Sequence, residues 1–111
     1  MRFLPRQALV ATLLCLCAGL ALRGQTSGQI RGTVVDDEGN PLHGVKVEAV
    51  TASATRTTMT GQNGQFRFSL LAPGSYRVTF TREAYSQVEK NATVRLDGTA
   101  TVNAKLFRLA G

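Results

Sequence analysis

The chain has 111 residues, enough for one domain and short of two ordinary ones. It carries 13 Lys and Arg against 7 Asp and Glu, a single His, no Trp, and two cysteines, Cys15 and Cys17. With one histidine and no cysteine beyond Cys17, disulfide frameworks, thiolate metal sites and thiol catalysis are excluded from the rest of the chain.

Met1-Arg2-Phe3-Leu4-Pro5-Arg6 is short and basic, and Ala8–Leu22 carries no charge. A basic start, an apolar run and small residues at its end are the parts of a secretory signal peptide. Arg23 stops the run short of the roughly 20 apolar residues a membrane-crossing helix needs, so a signal is expected over an uncleaved anchor. Residues 1–21 form that signal, cut after Ala21, with a site nearer Gly24 as the alternative. Cys15 and Cys17 each follow a Leu where a lipoprotein signal has a small residue, and so read as apolar filling.

The mature chain then has about 90 residues (111 − 21), no transmembrane segment, and a net charge near +4 (6 − 2, with Arg2 and Arg6 removed). Its basic residues are scattered singly along the sequence, and no basic helix gathers them. They read as solvated strand faces rather than an anionic-ligand patch, and export argues against nucleic acid as the partner.

After a disordered lead-in over residues 22–28, the pattern has period two throughout. Ile30, Gly32 and Val34 share one face of the first strand, and Arg31 and Thr33 the other. Asp36 to Pro41 is dense in turn formers, Gly39 and Pro41 among them. Val45–Ala49 alternates, and Thr55–Thr60 is a weaker, Thr-rich strand. Gly61-Gln62-Asn63-Gly64 predicts a tight hairpin, with Gly61 and Gly64 supplying the freedom it needs. Phe66, Phe68 and Leu70 then face inward. A type II turn at Pro73-Gly74 follows, and Tyr76, Val78 and Phe80 face inward in turn. In Val88–Leu96 an inward Val94 and Leu96 would turn Lys90 inward too, which predicts a bulge near Lys90-Asn91. Asp97-Gly98 turns the chain into a last strand with Ala100, Val102, Ala104 and Leu106 inward. Seven short strands at this spacing predict an all-β Greek-key sandwich over residues 29–106, followed by a C-terminal tail over 107–111.

Three stretches carry a resemblance. Gly32-Thr33-Val34-Val35-Asp36 with Gly39-Asn40-Pro41-Leu42 and Gly44-Val45-Lys46-Val47 resembles the opening of the carboxypeptidase regulatory-like domain. Thr60-Gly61-Gln62-Asn63-Gly64-Gln65-Phe66 is similar to its second signature, and Leu71-Ala72-Pro73-Gly74-Ser75-Tyr76-Arg77-Val78 to its third. Ala84 stands where the family usually has Gly, in Arg82-Glu83-Ala84-Tyr85. The resemblance implies a transthyretin-like sandwich of immunoglobulin-like shape, an accessory domain without peptidase activity. Such domains occur behind carboxypeptidase catalytic domains and ahead of the plug of TonB-dependent outer-membrane receptors.

No catalytic constellation accompanies the fold, and no cofactor or metal is expected. His43 lies alone in a loop, no Gly-x-Ser-x-Gly elbow occurs, and a zinc site needs three or four ligands. Asp36-Asp37-Glu38-Gly39-Asn40 could gather oxygens for Ca²⁺, but it lacks the ligand register of an EF-hand and suits an ordinary turn. A Lys–Asn isopeptide between first and last strands, of the kind related adhesin repeats form, is excluded: Asn103 sits on the last strand, but the first offers Arg31 and no Lys. Carbohydrate binding is the alternative to protein interaction. Sugar sites stack rings on exposed aromatics, and with the other aromatics committed to the core, Tyr85 and Phe107 alone are free. The expected protein is an exported, non-enzymatic interaction or stabilising module. Its partner is an envelope or outer-membrane protein, met through strand edges or the loops at one end, with a glycan as the second possibility.

Overall fold

The computed structural model describes residues 27–110; the signal segment and nearly all of the lead-in lie outside the described residues. Eight strands follow one another: β1 Gly28–Val35, β2 Lys46–Val50, β3 Thr55–Met59, β4 Gln65–Leu71, β5 Gly74–Thr81, β6 Val88–Val94, β7 Thr99–Thr101 and β8 Ala104–Lys105. They form two sheets packed face to face. One has the order β4-β1-β7, with β8 continuing along β1; the other has the order β3-β2-β5-β6. The all-β sandwich read from the sequence is the observed architecture. The strand count differs by one because the last strand is split into β7 and β8.

Alternation builds the core as the sequence implies. Ile30, Val34, Val47, Val78, Phe80 and Leu106 are fully buried, and Phe66, Phe68, Tyr76, Val102 and Ala104 nearly so. Phe66 of the first sheet meets Phe80 of the second edge to face, with ring centroids 5.5 Å apart. This is the favoured geometry for an aromatic pair, and it joins the two layers.

Three local expectations are corrected. Leu70 points outward and is 80% exposed, while Leu71 takes the inward place at 2%. The cause is an extra residue in β4. Ile30 pairs with Phe68 but Gly28 with Leu71, and Leu70 absorbs the slip with φ +56°. A bulge of this kind exchanges the two faces beyond it.

The hairpin at Gly61–Gly64 and the turn at Pro73-Gly74 are both corners between sheets. β3 and β5 belong to one sheet and β4 to the other, so the strands flanking each corner do not pair. Gly74, at φ +149°, is far from the roughly +80° of a type II turn and already pairs with Val94 as the first residue of β5. The corner before it is held by the Tyr76 hydroxyl, which donates to the Ala72 carbonyl at 2.6 Å, as tyrosine corners do in other sandwiches.

β6 pairs with β5 without a bulge from Val88 to Val94. Lys90 therefore does take an inward register position, opposite Val78, yet it is exposed, because β6 is an edge strand and the sandwich is open there. Arg56 does the same at the other edge of that sheet. It lies opposite buried Ala49 and donates to the Ser69 carbonyl of β4 at 3.3 Å.

The first sheet is closed by the first strand pairing parallel with the last. Between β7 and β8 the Val102 carbonyl presses onto Gly32, where a Cβ would overlap it. The ladder is repaired by a side chain: the Thr33 amide donates to Asn103 Oδ1 at 3.0 Å, and Val102 and Leu106 amides donate to the Arg31 and Val35 carbonyls at 2.9 Å.

Two outcomes follow for denaturant melts. Leu70→Asn raises stability by about 1 kcal/mol, since asparagine tolerates the left-handed conformation better, whereas Leu71→Ala lowers it by about 2–5 kcal/mol. Gly32→Ala lowers it by about 1–3 kcal/mol or more, because backbone must move to admit the methyl. An unchanged Gly32→Ala midpoint contradicts the β1–β7 contact.

Candidate functional site

Loops 36–45, 60–64 and 82–87 gather at the end of the sandwich where β1 finishes, together with residues 106–110. The acidic loop is closed by its own side chain. Asp36 Oδ1 accepts the amides of Glu38 and Asn40, both at 2.9 Å, Gly39 sits at φ +87°, and Pro41 bridges to Val35. Among the described residues no three His, Cys, Asp or Glu side chains gather to hold a metal, and His43 is exposed in its loop. Thr60 is the buried polar residue among those described. Its hydroxyl donates to the Leu42 carbonyl at 2.8 Å and accepts the Val45 amide at 2.9 Å, clipping that loop to the end of β3.

The turn after Thr60 is closed by Gly64 donating to the Gly61 carbonyl at 2.9 Å. Gly64 has φ +75°, and a Cβ there would come 2.5 Å from the Val34 carbonyl, so backbone approach and dihedral both require glycine. Gly61 donates to Gln65 at 3.0 Å; Pro73 is exposed beside Gly74. None of these six turn residues points a functional group at a shared space.

Tyr85 is half-buried and already engaged. The Arg82 and Arg108 guanidiniums lie 5.2 and 5.5 Å from its ring centroid, and Arg108 donates to its hydroxyl at 2.9 Å. That hydrogen bond is the first cause of an Arg108 pKa above its ordinary value. Residues 107–109 are not loose. Ser86 donates to the Phe107 carbonyl, Phe107 to Ser86 Oγ and Leu109 to the Ala84 carbonyl, at 2.8–3.0 Å, and Tyr85 bridges to Arg108. Ala84 lies at φ +72°, a left-handed conformation that glycine adopts without a Cβ penalty.

The outer face of the β4-β1-β7 sheet is the surface that sequence reasoning missed. Arg31 and Arg67 stand directly opposite each other, with Thr101 next to Arg31 on the far side and Thr33 opposite Gln65 one step along. These side chains line an open depression of about 700 Å³. Scattered in sequence, two of the basic residues are brought together by register. The signal was the outward parity of Arg31 and Arg67 in strands that pair, and the pairing itself was not legible.

The chain belongs to the carboxypeptidase regulatory-like domain family, whose profile matches residues 29–107. No curated protein sequence matches it. Among solved structures it is similar to part of the Bacillus anthracis TIE protein, with TM-score 0.68, 18% identity, and coverage of 75% of this chain and 17% of that one. The GBS52 minor pilin of Streptococcus agalactiae gives 0.64, 22%, 78% and 47% for the same quantities. Catechol 1,2-dioxygenase from Acinetobacter gives 0.60, 13%, 76% and 54%. The chain thus spans less than half of the first two proteins and about half of the third. At these identities the likeness establishes the fold alone, and a fold that frames both a pilin and a dioxygenase does not fix function.

Ala84→Gly should raise the melting free energy by about 0.5–1 kcal/mol, the relief of the left-handed alanine being offset in part by glycine's extra chain entropy. Thermal melts of the two proteins check this; a lower midpoint for the glycine variant contradicts the positive φ.

Proposed function

We propose that this protein is an exported, non-enzymatic interaction or stabilising module of the cell envelope, presented outside the cytoplasm. One observation carries the reading: several of the polar side chains that chemistry could use are spent on the protein's own backbone. Asp36 closes its loop, Thr60 clips two segments together, Asn63 accepts the Gln65 amide, Ser86 holds Phe107, and Asn103 completes the β1 ladder. What remains outward among the described residues is a set of hydrogen-bonding and charged strand faces without a nucleophile–base pair, which is the equipment of a binding surface.

The envelope setting rests on the basic start and apolar run of residues 1–22, and the pilin-like sandwich fits a surface protein. Among the described residues, no helix is long and apolar enough to cross a membrane. The resemblance to the N-terminal domain of TonB-dependent receptors makes an outer-membrane or other envelope protein the partner class. Glycan binding is the weaker reading, because the Tyr85 ring expected to stack on sugar is occupied by two guanidiniums.

Mass spectrometry of the protein recovered outside the cytoplasm should give a chain starting between Leu22 and Gln25. An intact Met1 start on a membrane-bound product contradicts export by a cleaved signal and restores the anchor.

A further inference from the structure

The two outer faces of the sandwich treat charge differently. On the β3-β2-β5-β6 sheet the outward cations have acidic neighbours: Lys46 lies 3.7 Å from Glu48, and Arg77 lies 4.0 Å from Glu89. These are the ion pairs among the described residues. On the β4-β1-β7 sheet the outward positions of β1, β4, β7 and β8 include Arg31, Arg67 and Lys105 and no acid at all. Arg31 and Arg67 also face each other across the strand pair, an arrangement of like charges that weakens a sheet. Neither has an acidic or hydrogen-bonding side-chain partner among the described residues. Thr33, Thr101 and Gln65 line the depression around them, with the exposed Met59 at its margin.

We propose that this face docks an acidic segment of a partner protein, with carboxylates of the partner pairing with Arg31 and Arg67. The inference rests on the interaction-module reading and deepens it by naming the surface and the partner's chemistry. A planar guanidinium matches a carboxylate bidentately, and two of them side by side select a segment that presents two acids. The complex removes the repulsion between the arginines as it forms. An acidic protein is favoured over an acidic polysaccharide because the depression has no exposed aromatic platform. Phe66, its one aromatic wall, is only 5% exposed, and Tyr85 lies in the 82–87 loop at one end of the sandwich.

The test uses the protein as recovered after export and a short Glu-rich peptide, with its Gln counterpart and polygalacturonate as comparison probes, at low salt. The Glu peptide should shift the backbone amide resonances of Arg31, Arg67 and Thr101, and its affinity should fall as salt screens the pairs. In the double variant Arg31→Gln, Arg67→Gln affinity drops about tenfold or more. In Lys46→Gln, Arg77→Gln, which removes the same two charges from the opposite sheet, it changes less than about twofold. The first variant should melt no lower than the parent; a lower midpoint would assign the arginines to sheet stability and overturn the proposal. Equal losses in both variants would reduce the effect to net charge and overturn it as well. Tighter binding of polygalacturonate through the same arginines would sink both this inference and the protein-partner reading. Cross-linked adducts in intact cells that survive loss of both arginines would sink this inference alone, leaving the interaction reading in place.

Discussion

The parallel pairing of the first strand with the last is the constraint on which the rest of the sandwich depends. β1 is the middle strand of its sheet, with β4 on one side and β7 and β8 on the other, so no other strand can substitute for it. Parallel neighbours cannot be joined by a short turn, and here nearly the whole domain is the connection. The pairing is therefore non-local and must be specified by shape. Gly32 provides it: the absent side chain lets the Val102 carbonyl come down on β1, and Asn103 then supplies the acceptor that the interrupted ladder lacks. A buried or half-buried amide left without an acceptor costs about 1–3 kcal/mol, so Asn103 and Gly32 act as one unit.

Both edges of the β3-β2-β5-β6 sheet carry the same protection. Arg56 on β3 and Lys90 on β6 occupy inward register positions at the margins of the sandwich. An inward-pointing charge on an edge strand discourages a second molecule from adding a strand there, because pairing would bury it. Arg56 goes further and binds the neighbouring sheet through Ser69. This bears on how the protein meets a partner. Edge-to-edge addition, the mode that needs no side-chain recognition, is opposed on the β3-β2-β5-β6 sheet, which leaves the β4 and β7 margins, the sheet faces and the loops open to a partner.

The legible and illegible parts of the fold separate along a physical line. Tyr76, Val78 and Phe80 were readable because β5 is central and both of its neighbours pair without a slip, so period two survives intact. Leu70 and Lys90 were not, although they obey the same alternation. At Leu70 a bulge inserts a residue, which a periodicity argument cannot see unless glycine or asparagine marks it, and here leucine holds the left-handed position. At Lys90 alternation was right, and what failed was the inference that an inward position must be dry. Whether it is depends on sheet order, which the sequence does not state. The same gap hid the tail: Phe107 to Leu109 pair with the Tyr85 loop through backbone groups that every residue possesses. Arg31 and Arg67 are a further instance of it, since nothing in either strand alone says that they face each other.

The family's signatures explain why membership tells so much about shape and so little about action. Gly32 admits the Val102 carbonyl, Asp36 closes the acidic loop, Leu42 fills the core, Thr60 clips that loop to β3, Gly64 takes a left-handed turn against β1, and Tyr76 ties down the corner at Ala72. Every one of these residues is inward, in a turn, or pressed against backbone. The outward positions between them carry none of these duties, and the fold puts less constraint on which side chain stands there. Arg31 precedes Gly32, and Arg67 follows Phe66, each one residue away from a signature position and on the opposite face of its strand. A scaffold whose defining residues all serve its own closure can vary its partner by exchanging the residues beside them, and family membership alone then cannot name that partner.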